Sequence, residues 1–426
     1  MTPRVVVIGA GLSGLHAAWL IQEAGVAEVT VLEARQRAGG RTWSERLPNS
    51  VVVERGGEFI AEYQAPIRDL CARLGLRLVR QGVSFDRRER PNVEVPPLAA
   101  ILAALTAICD QVKRRLAGGG GDVSMAEAAA ESGVRGPAAE AALSRLLTSI
   151  AVPLEEVSAA WIALHDGDDP DYGESCRVAG GNQRIALELA ARLHPGAVEL
   201  GVAVTTVAQD AAGAEVGCAD GTTRRADAVV LAVPLAVLAP LLSPGTSSDE
   251  LRGALSLLQV GHAAKLHLPL AAGAPPRGVQ AGGAPWWTWN SAEAAGPRSA
   301  PVLSGFAGGS RTVAELAVDE GPRVWAAAAR ELRPDVVAQG DALLTTWADD
   351  PWARGAYSAA SVGWSPQVSQ VLGRPVGRVV LAGEHTAGGQ AATMNGAVLA
   401  GARAALAVAK VLENGAAGSL FRESPR

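Results

Sequence analysis

Residues 4–42 read RVVVIGAGLSGLHAAWLIQEAGVAEVTVLEARQRAGGRT, and the order of residue types in this stretch decides the fold. A short apolar run, residues 5–8, leads into Gly9, Gly11 and Gly14, and from there into a helical pattern through Ile21. Strand, tight turn and helix in that order make the first unit of a dinucleotide-binding fold. The glycines let the backbone turn and approach a pyrophosphate, and the helix N-terminus presents free N–H groups to it. A second apolar run, residues 29–32, ends in Glu33, about twenty residues further on, where an acid accepts hydrogen bonds from an adenosine ribose. A lone GxGxxG turn also occurs without a ligand. Here it follows a strand, opens a helix and is answered by an acid, which is the context the motif requires. These residues alone do not separate NAD from FAD.

After Glu33 come Ala34 and Arg35, then Gly39-Gly40-Arg41-Thr42, a second glycine turn followed by a cation able to reach the same pyrophosphate. This stretch resembles the flavin-containing amine oxidase family, in which the first βαβ unit is followed by a GGR turn. The resemblance implies an α/β fold, with a Rossmann-like FAD-binding domain and a discontinuous substrate domain of mixed sheet plus helical cap. It assigns residues 1–80, 178–260 and 355–426 to the FAD-binding domain. Residues 81–177 and 261–354 then form the substrate domain.

Further pieces of chain carry the same resemblance. VVVERGGEF, residues 51–59, is β-rich and reaches Gly56-Gly57. In the family the matching pair passes close to the flavin ring and the next residues, here Glu58 and Phe59, line the adjoining wall; an ordinary turn is the alternative. Residues 65–74 have the spacing of an amphipathic helix. From residue 85 to 97 the chain is charged and proline-bearing, and residues 98–109 are almost uninterrupted alanine, leucine and isoleucine. Ser124 to Glu127 restarts a helix with a capping-box pattern, and helices continue to Leu164, which reads as an inserted cap. The strand at residues 202–207 contains Val204, which matches the family position whose backbone meets the adenine, or is simply a core residue.

GHAAKLHLP, residues 261–269, sets Lys265 in an otherwise apolar strand, where an unpaired ammonium is costly to bury. The family carries a lysine in this setting that holds a water against flavin N5; the alternative is an edge-strand lysine facing solvent. PWWTWN, residues 285–290, puts Trp287 and Trp289 on one face, as core packing or as a pocket wall. Residues 315–332 read as one helix and residues 342–347 as a strand.

WADDPWARGAYS, residues 347–358, resembles the family segment in which a tryptophan lies ten residues before an aromatic standing over the flavin, here Trp347 and Tyr357. Monoamine oxidases place a cysteine before that aromatic and bond it to the flavin. This chain has Ala356, so the resemblance implies a non-covalent FAD. At the close, residues 379–382 form a buried strand, Gly383-Glu384-His385-Thr386 a turn, and residues 391–397 enter a long helix. A helix N-terminus aimed at the flavin stabilises negative charge on the reduced ring. Glu384 matches the family acid near the ribityl chain, and Met394 offers a backbone N–H near the ring; Ser13, Gly383 and Ala397 complete the implied cofactor set. Thr393 stands where monoamine oxidases set a second aromatic, so it joins Lys265, Trp347 and Tyr357 at the catalytic position, and narrow aryl-alkyl amine specificity is not implied.

Composition bounds the rest. The 426 residues, 48% hydrophobic, suffice for two large cores. A formal net charge of −5 argues against a nucleic-acid partner. Cys71, Cys109, Cys176 and Cys218 are far apart, without metal spacing, and read as buried thiols in a reducing compartment. The N-terminus lacks the continuous apolar core of a signal peptide, residues 228–242 are broken by Pro234 and Pro240, and residues 399–412 contain Arg403 and Lys410. A soluble cytoplasmic protein without a membrane partner is the expectation; a homodimer stays open.

The implied reaction removes a hydride equivalent from a carbon bearing nitrogen, passes it to FAD, hydrolyses the imine and returns the electrons to dioxygen. His385 is the obvious catalytic histidine, although hydrogen bonding near the cofactor explains its place equally well; His16, His165, His194, His262 and His267 are scattered. An α-amino acid substrate would need a cation for its carboxylate, for which Arg55 and Arg311 are conceivable. The residues at 56–59 look more like the amine branch. Two other classes remain: a flavin desaturase or isomerase acting on carbon–carbon bonds, and a flavin-fold binding protein without turnover.

Overall fold

The computed structural model describes residues 2–83, 88–164, 175–282, 285–292 and 299–420, with side chains to residue 413; Phe85 and His165 lie outside them. The chain folds as two compact units, Met1–Thr42, Gln183–Ser256 and Pro366–Arg426 forming the first, and Trp43–Asn182 and Leu257–Ser365 the second. Residues 43–80, grouped by sequence with the dinucleotide-binding pieces, thus pack inside the second unit.

In the first unit a parallel sheet runs in the order Val379–Leu381, Ala228–Leu231, Arg4–Ile8, Glu28–Glu33, Val198–Leu200. Its central strands read as continuous apolar runs because they are covered on both faces, which is the usual pattern for a parallel sheet. Val5 through Ile8 and Ala228 through Leu231 are all buried. The helix Leu12–Glu23 packs against the long helix Met394–Leu420. Gly401 permits this contact, since a Cβ there would sit 2.5 Å from the Ser13 carbonyl oxygen. The segment Met394–Glu413 is long and apolar enough to cross a membrane. Val398, Ala404, Ala405 and Val408 recur at helical spacing and are buried within the unit. A separate antiparallel sheet joins Thr223–Ala226, Ala214–Cys218 and Val204–Gln209.

The second unit is built on an antiparallel sheet in the order Arg277–Gln280, Trp286–Asn290, Val302–Gly308, Ala263–Pro269, Leu343–Thr346. Its helices include Leu98–Ala117, Met125–Ser132 and Pro137–Ile150, in the stretch where a helical insertion was expected. Ser124 caps the second of these, its hydroxyl accepting the Glu127 N–H at 3.1 Å. Two local expectations need correction. The β-rich run at residues 51–59 is a strand only over Val52–Glu54, because Gly56 and the residues after it turn away to serve other partners. Residues 315–332 are not one helix: Ser310–Glu315 stops, Gly321 takes a positive φ of 102°, and Pro322 starts Arg323–Leu332. Glycine in that conformation followed by proline ends one helix and opens another.

The close packing at Gly401 predicts a contrast. Gly401→Ala forces backbone apart and should cost about 1–3 kcal/mol. Gly253→Ala, on the exposed face of the helix Asp249–Ser256 with nothing within 4 Å of the added carbon, should be neutral or stabilise by roughly 0.5–1 kcal/mol. Chemical denaturation of both variants checks the pair, and equal effects would contradict the packing described.

Candidate active site

The first unit contains a cradle shaped by the glycines of the opening motif. Gly9 has a φ of 103°, and a Cβ on Gly14 would lie 2.0 Å from the Gly9 carbonyl oxygen, so neither position tolerates a side chain. Around Gly11 the reverse holds: beyond its chain neighbours, no described residue lies within 4 Å of an added Cβ, and the backbone there is open. The helix Leu12–Glu23 begins without a side-chain cap and without an acid in its first turn. Its first amides and its dipole therefore remain available to an anion. Glu33, 4% exposed, accepts the Ala10 N–H at 2.8 Å and the Arg35 N–H at 2.9 Å, tying the turn to the end of the second strand. Ala34 lies between, half-buried.

The GGRT turn folds onto the first turn. Gly39 donates its N–H to the Ala10 carbonyl at 2.8 Å, a Cβ on Gly40 would come within 3.4 Å of the Gly11 Cα, and Thr42 closes back on Gly39. Arg41 donates to Glu384 Oε1 at 3.1 Å, and Glu384 Oε2 accepts the Ala392 N–H at 2.8 Å. Gly383 donates its N–H to Ser13 Oγ at 2.8 Å. Residues 13 and 41 from the opening stretch and residues 383–392 thus meet at one place. Thr393 serves as the cap of the long helix: its hydroxyl accepts the Gly396 N–H at 2.8 Å and donates to the Gln390 carbonyl, and the Ala397 N–H closes on the Thr393 carbonyl. Met394 is the first residue of that helix. Val204 lies at a bulge at the start of its strand, half-buried.

His385 sits beside this cluster, 3% exposed, and neither ring nitrogen has a hydrogen-bond partner among the described residues. Burial, against the pull of Glu384, brings its pKa down to about 4, so the ring is neutral near pH 7. A buried imidazole without a partner is expensive unless a polar group meets it. Together with the open backbone at Gly11, it fits a flavin dinucleotide in this unit.

In the second unit Lys265 lies on an interior strand, paired across to Phe306 on one side and Thr345 on the other. It is 5% exposed, which excludes the edge-strand alternative. Its ammonium donates to Glu58 Oε2 at 2.5 Å and to the Gly56 carbonyl at 3.1 Å. The other Glu58 oxygen accepts from Gln81 Nε2 and from Trp289 Nε1, both at 3.1 Å. Burial by itself raises the Glu58 carboxyl, but the charge and hydrogen bond of Lys265 more than reverse this and hold it below the usual range. Asn182 pins the turn by donating to the Gly57 and Glu58 carbonyls at 3.1 and 2.8 Å.

An aromatic ring lies beside the pair, with Trp289 5.5 Å from the Lys265 ammonium. Trp287 and Trp289 stack at 4.4 Å, and Phe59 packs on both. Trp347 and Tyr357 belong to one cluster with Trp43, and the Tyr357 hydroxyl donates to the Ser149 carbonyl. The two arginines considered for a carboxylate are otherwise engaged: Arg55 lies 3.7 Å over Trp43 and bonds Glu45 and Thr345, while Arg311 is 91% exposed beside Glu315.

Sequence reasoning missed a second polar group below Lys265. His267 bridges Ser304 Oγ and the Glu54 carbonyl; burial and the nearby Lys265 charge bring its pKa to about 3. It is neutral, so Nε2 donates to Glu54 and Nδ1 accepts from Ser304. The Glu54 carboxylate accepts from Ser44 and from the Asn182 N–H, and burial pushes its pKa up to about 7. Alternation along residues 263–269 puts Lys265 and His267 on one face, the only signal that tied them together. Among the described residues no group of His, Cys, Asp or Glu is placed to hold a metal, and all four cysteines are free.

A nucleotide-binding parallel sheet with a crevice of glycine turns, joined in one chain to a sheet carrying a buried lysine–glutamate pair, defines the class of flavin-fold oxidoreductases. The family model described as flavin containing amine oxidoreductase matches residues 12–409, and the chain belongs to that family. Lysine-specific histone demethylase 2 of Homo sapiens is 26% identical over 95% of this chain and 53% of its own length. Lysine-specific histone demethylase 1 homolog 3 of Arabidopsis thaliana is 26% identical over 97% of the chain and 30% of its own length. The chain thus spans about half or less of these relatives. Amine oxidase [flavin-containing] A of Sus scrofa is 46% identical over 80 residues, which is 19% of this chain and 15% of that protein. Among solved structures, a putrescine oxidase bound to putrescine superposes with a TM-score of 0.80 at 21% identity, over 95% of this chain and 98% of that one. Cyclohexylamine oxidase from Brevibacterium oxydans gives 0.80 at 20% identity, over 97% and 100%. Both share the fold.

The raised Glu54 carboxyl has a signed consequence. The folded protein keeps a proton that the unfolded chain releases, so Glu54 costs stability as pH rises from its ordinary 4.5 to about 7. Glu54→Gln keeps the Asn182 bond and can donate to Ser44. It should therefore gain roughly 2–3 kcal/mol more at about pH 8 than at about pH 4. Denaturation at the two pH values measures this; an equal effect at both would contradict the assignment.

Proposed function

We propose that this protein is an FAD-dependent amine oxidase with its FAD bound non-covalently. Bound FAD would supply two-electron redox chemistry for oxidation of an amine to an imine that hydrolyses in water, with dioxygen as the terminal acceptor and peroxide as its product. The observation that carries this reading is Lys265, a cation buried on an interior strand with Glu58 and Gly56 fixing its position, in a chain of this family.

The roles follow from the chemistry of each group. Gly9, Gly11 and Gly14, with the N-terminal amides of Leu12–Glu23, would receive the pyrophosphate, Arg41 would add a cation, and Glu33 would take the ribose hydroxyls. The capped N-terminus at Thr393 and Met394 would favour negative charge on the reduced flavin. Lys265 would hold a water, its remaining N–H directed and its lysine chain immobilised by two hydrogen bonds. Trp347 and Tyr357 would supply an aromatic wall for the alkyl part of the amine. Ala356 offers no thiol for a covalent link. His267 and His385 are neutral and no general base is assigned, which suits a mechanism starting from the neutral amine. With Arg55 and Arg311 engaged elsewhere, an α-amino acid is the less supported substrate.

Purified protein should be yellow, and acid precipitation should release FAD into the supernatant and leave a colourless pellet. Under nitrogen a panel of alkylamines, including putrescine and cyclohexylamine, should bleach the flavin absorption, and air should restore it with formation of peroxide. Bleaching by a polyene and by no amine would favour a desaturase instead, and failure of every reductant candidate would favour a binding protein.

A further inference from the structure

The helix Pro137–Ile150 ends inside the second unit, and the carbonyls of its last turn need partners from outside the helix. Its C-cap, Ala151, is left-handed at a φ of 58° and 1% exposed. Two glycines let this end come down on the sheet that carries Lys265. A Cβ on Gly308, the last residue of the strand Val302–Gly308, would lie 2.3 Å from the Thr148 carbonyl oxygen, and one on Gly261 would lie 2.9 Å from the Ala151 oxygen. His262 donates its N–H to the Ala151 carbonyl at 3.0 Å, and Gly309 donates to the His262 carbonyl at 2.8 Å. The helix end thus rests on backbone, and the missing carbon at position 308 sets its height above the sheet.

Tyr357 is attached to this helix end twice. Its hydroxyl donates to the Ser149 carbonyl, one of those that the helix itself leaves without a partner. Its main chain is joined to Gly261 by two hydrogen bonds: Gly261 donates to the Tyr357 carbonyl at 2.8 Å, and Ala356 donates to the Gly261 carbonyl at 3.0 Å. The approach is close here too, since a Cβ on Gly355 would lie 2.5 Å from Val260 Cγ1. A ring held both at its main chain and at its hydroxyl keeps one χ1 rotamer, because leaving that rotamer breaks the Ser149 bond. Raising the helix end moves the acceptor, and the ring must follow or lose its partner.

Resting on the amine-oxidase reading, in which Tyr357 forms part of the substrate wall, we propose that Gly308 is a positioning residue: it seats the end of the helix Pro137–Ile150 so that the Ser149 carbonyl holds Tyr357 where the substrate meets it. Gly308 acts through the helix and not on the reacting atoms. The contribution of the helix to the wall is a main-chain oxygen, which side-chain substitutions within the helix leave in place and which its seating controls. A misplacement of about 1 Å from a change remote from the chemistry can cost about a hundredfold in rate, so a carbon inserted at position 308 is felt at Tyr357.

The chain has three tyrosines, so FAD-loaded protein labelled with 3-fluorotyrosine gives three fluorine resonances, and Tyr357→Phe identifies one of them. That resonance should shift in Gly308→Ala while the other two stay. It should not shift in Ser149→Ala, because the Ser149 hydroxyl donates to the Arg145 carbonyl and the acceptor of Tyr357 is main chain. With the amine of the panel that bleaches the flavin fastest, kcat/KM should fall about tenfold in Tyr357→Phe and in Gly308→Ala, and no further in the double variant. If Gly308→Ala does not fold, Gly261→Ala, which crowds the same helix end at 2.9 Å instead of 2.3 Å, carries the same expectations. An unmoved Tyr357 resonance, an unchanged kcat/KM in Tyr357→Phe, or a fall of about a hundredfold in the double variant would overturn the positioning role while amine oxidation stands. If no amine reduces the flavin and the resonance still shifts, the coupling of helix to Tyr357 stands and the proposed function falls.

Discussion

An ammonium and a carboxylate share the interior of the second unit, and much of the local structure exists to make that tolerable. Removing two charges from water costs several kcal/mol per ion, and mutual attraction alone does not reliably return it. Here most of the pair's hydrogen-bonding capacity is met, leaving one Lys265 N–H over. Lys265 also donates to the Gly56 carbonyl, and Glu58 also accepts from Trp289 and Gln81. The turn that carries Glu58 is held in turn by Asn182, whose backbone N–H reaches back to Glu54. A buried pair bonded in this way is a poor way to gain stability and a good way to fix a cation at one position.

The first unit meets a different constraint, which is to keep backbone N–H groups available rather than satisfied. Glycines at positions 9, 11 and 14 bring strand and helix into contact while leaving the surface at Gly11 open, and the helix starts uncapped. Glu33 holds the first glycine turn to the second strand by accepting the Ala10 and Arg35 N–H groups, and Glu384 joins the Arg41 side chain of the second turn to the Ala392 N–H. His385 remains with its ring nitrogens unmet among the described residues. Such local dissatisfaction is unfavourable in isolation and is resolved by a polar ligand.

The parts legible in the sequence are those where short-range chemistry dictates the pattern. Phosphate binding needs small residues at fixed offsets after a strand, so the stretch from Val5 to Arg41 announced its fold. Lys265 was conspicuous because a cation in an apolar strand demands an explanation. Its partner was not legible, since Glu58 lies 207 residues away and nothing local marks the pairing. Trp287 and Trp289 were expected on one face, but that the second indole would donate to Glu58 depends on tertiary packing. The break at Gly321 and Pro322 was hidden by alanine-rich flanks, in which helical periodicity fades.

The central claim is that Lys265 and Glu58 act as one buried unit. A double-mutant cycle with Lys265→Met, Glu58→Gln and the combined variant, followed by denaturant unfolding, tests it most directly. Leaving either charge alone should cost about 3–5 kcal/mol, and the combined variant should recover much of that, giving a coupling of at least about 2 kcal/mol. Additivity of the two single changes to within about 0.5 kcal/mol would contradict the account.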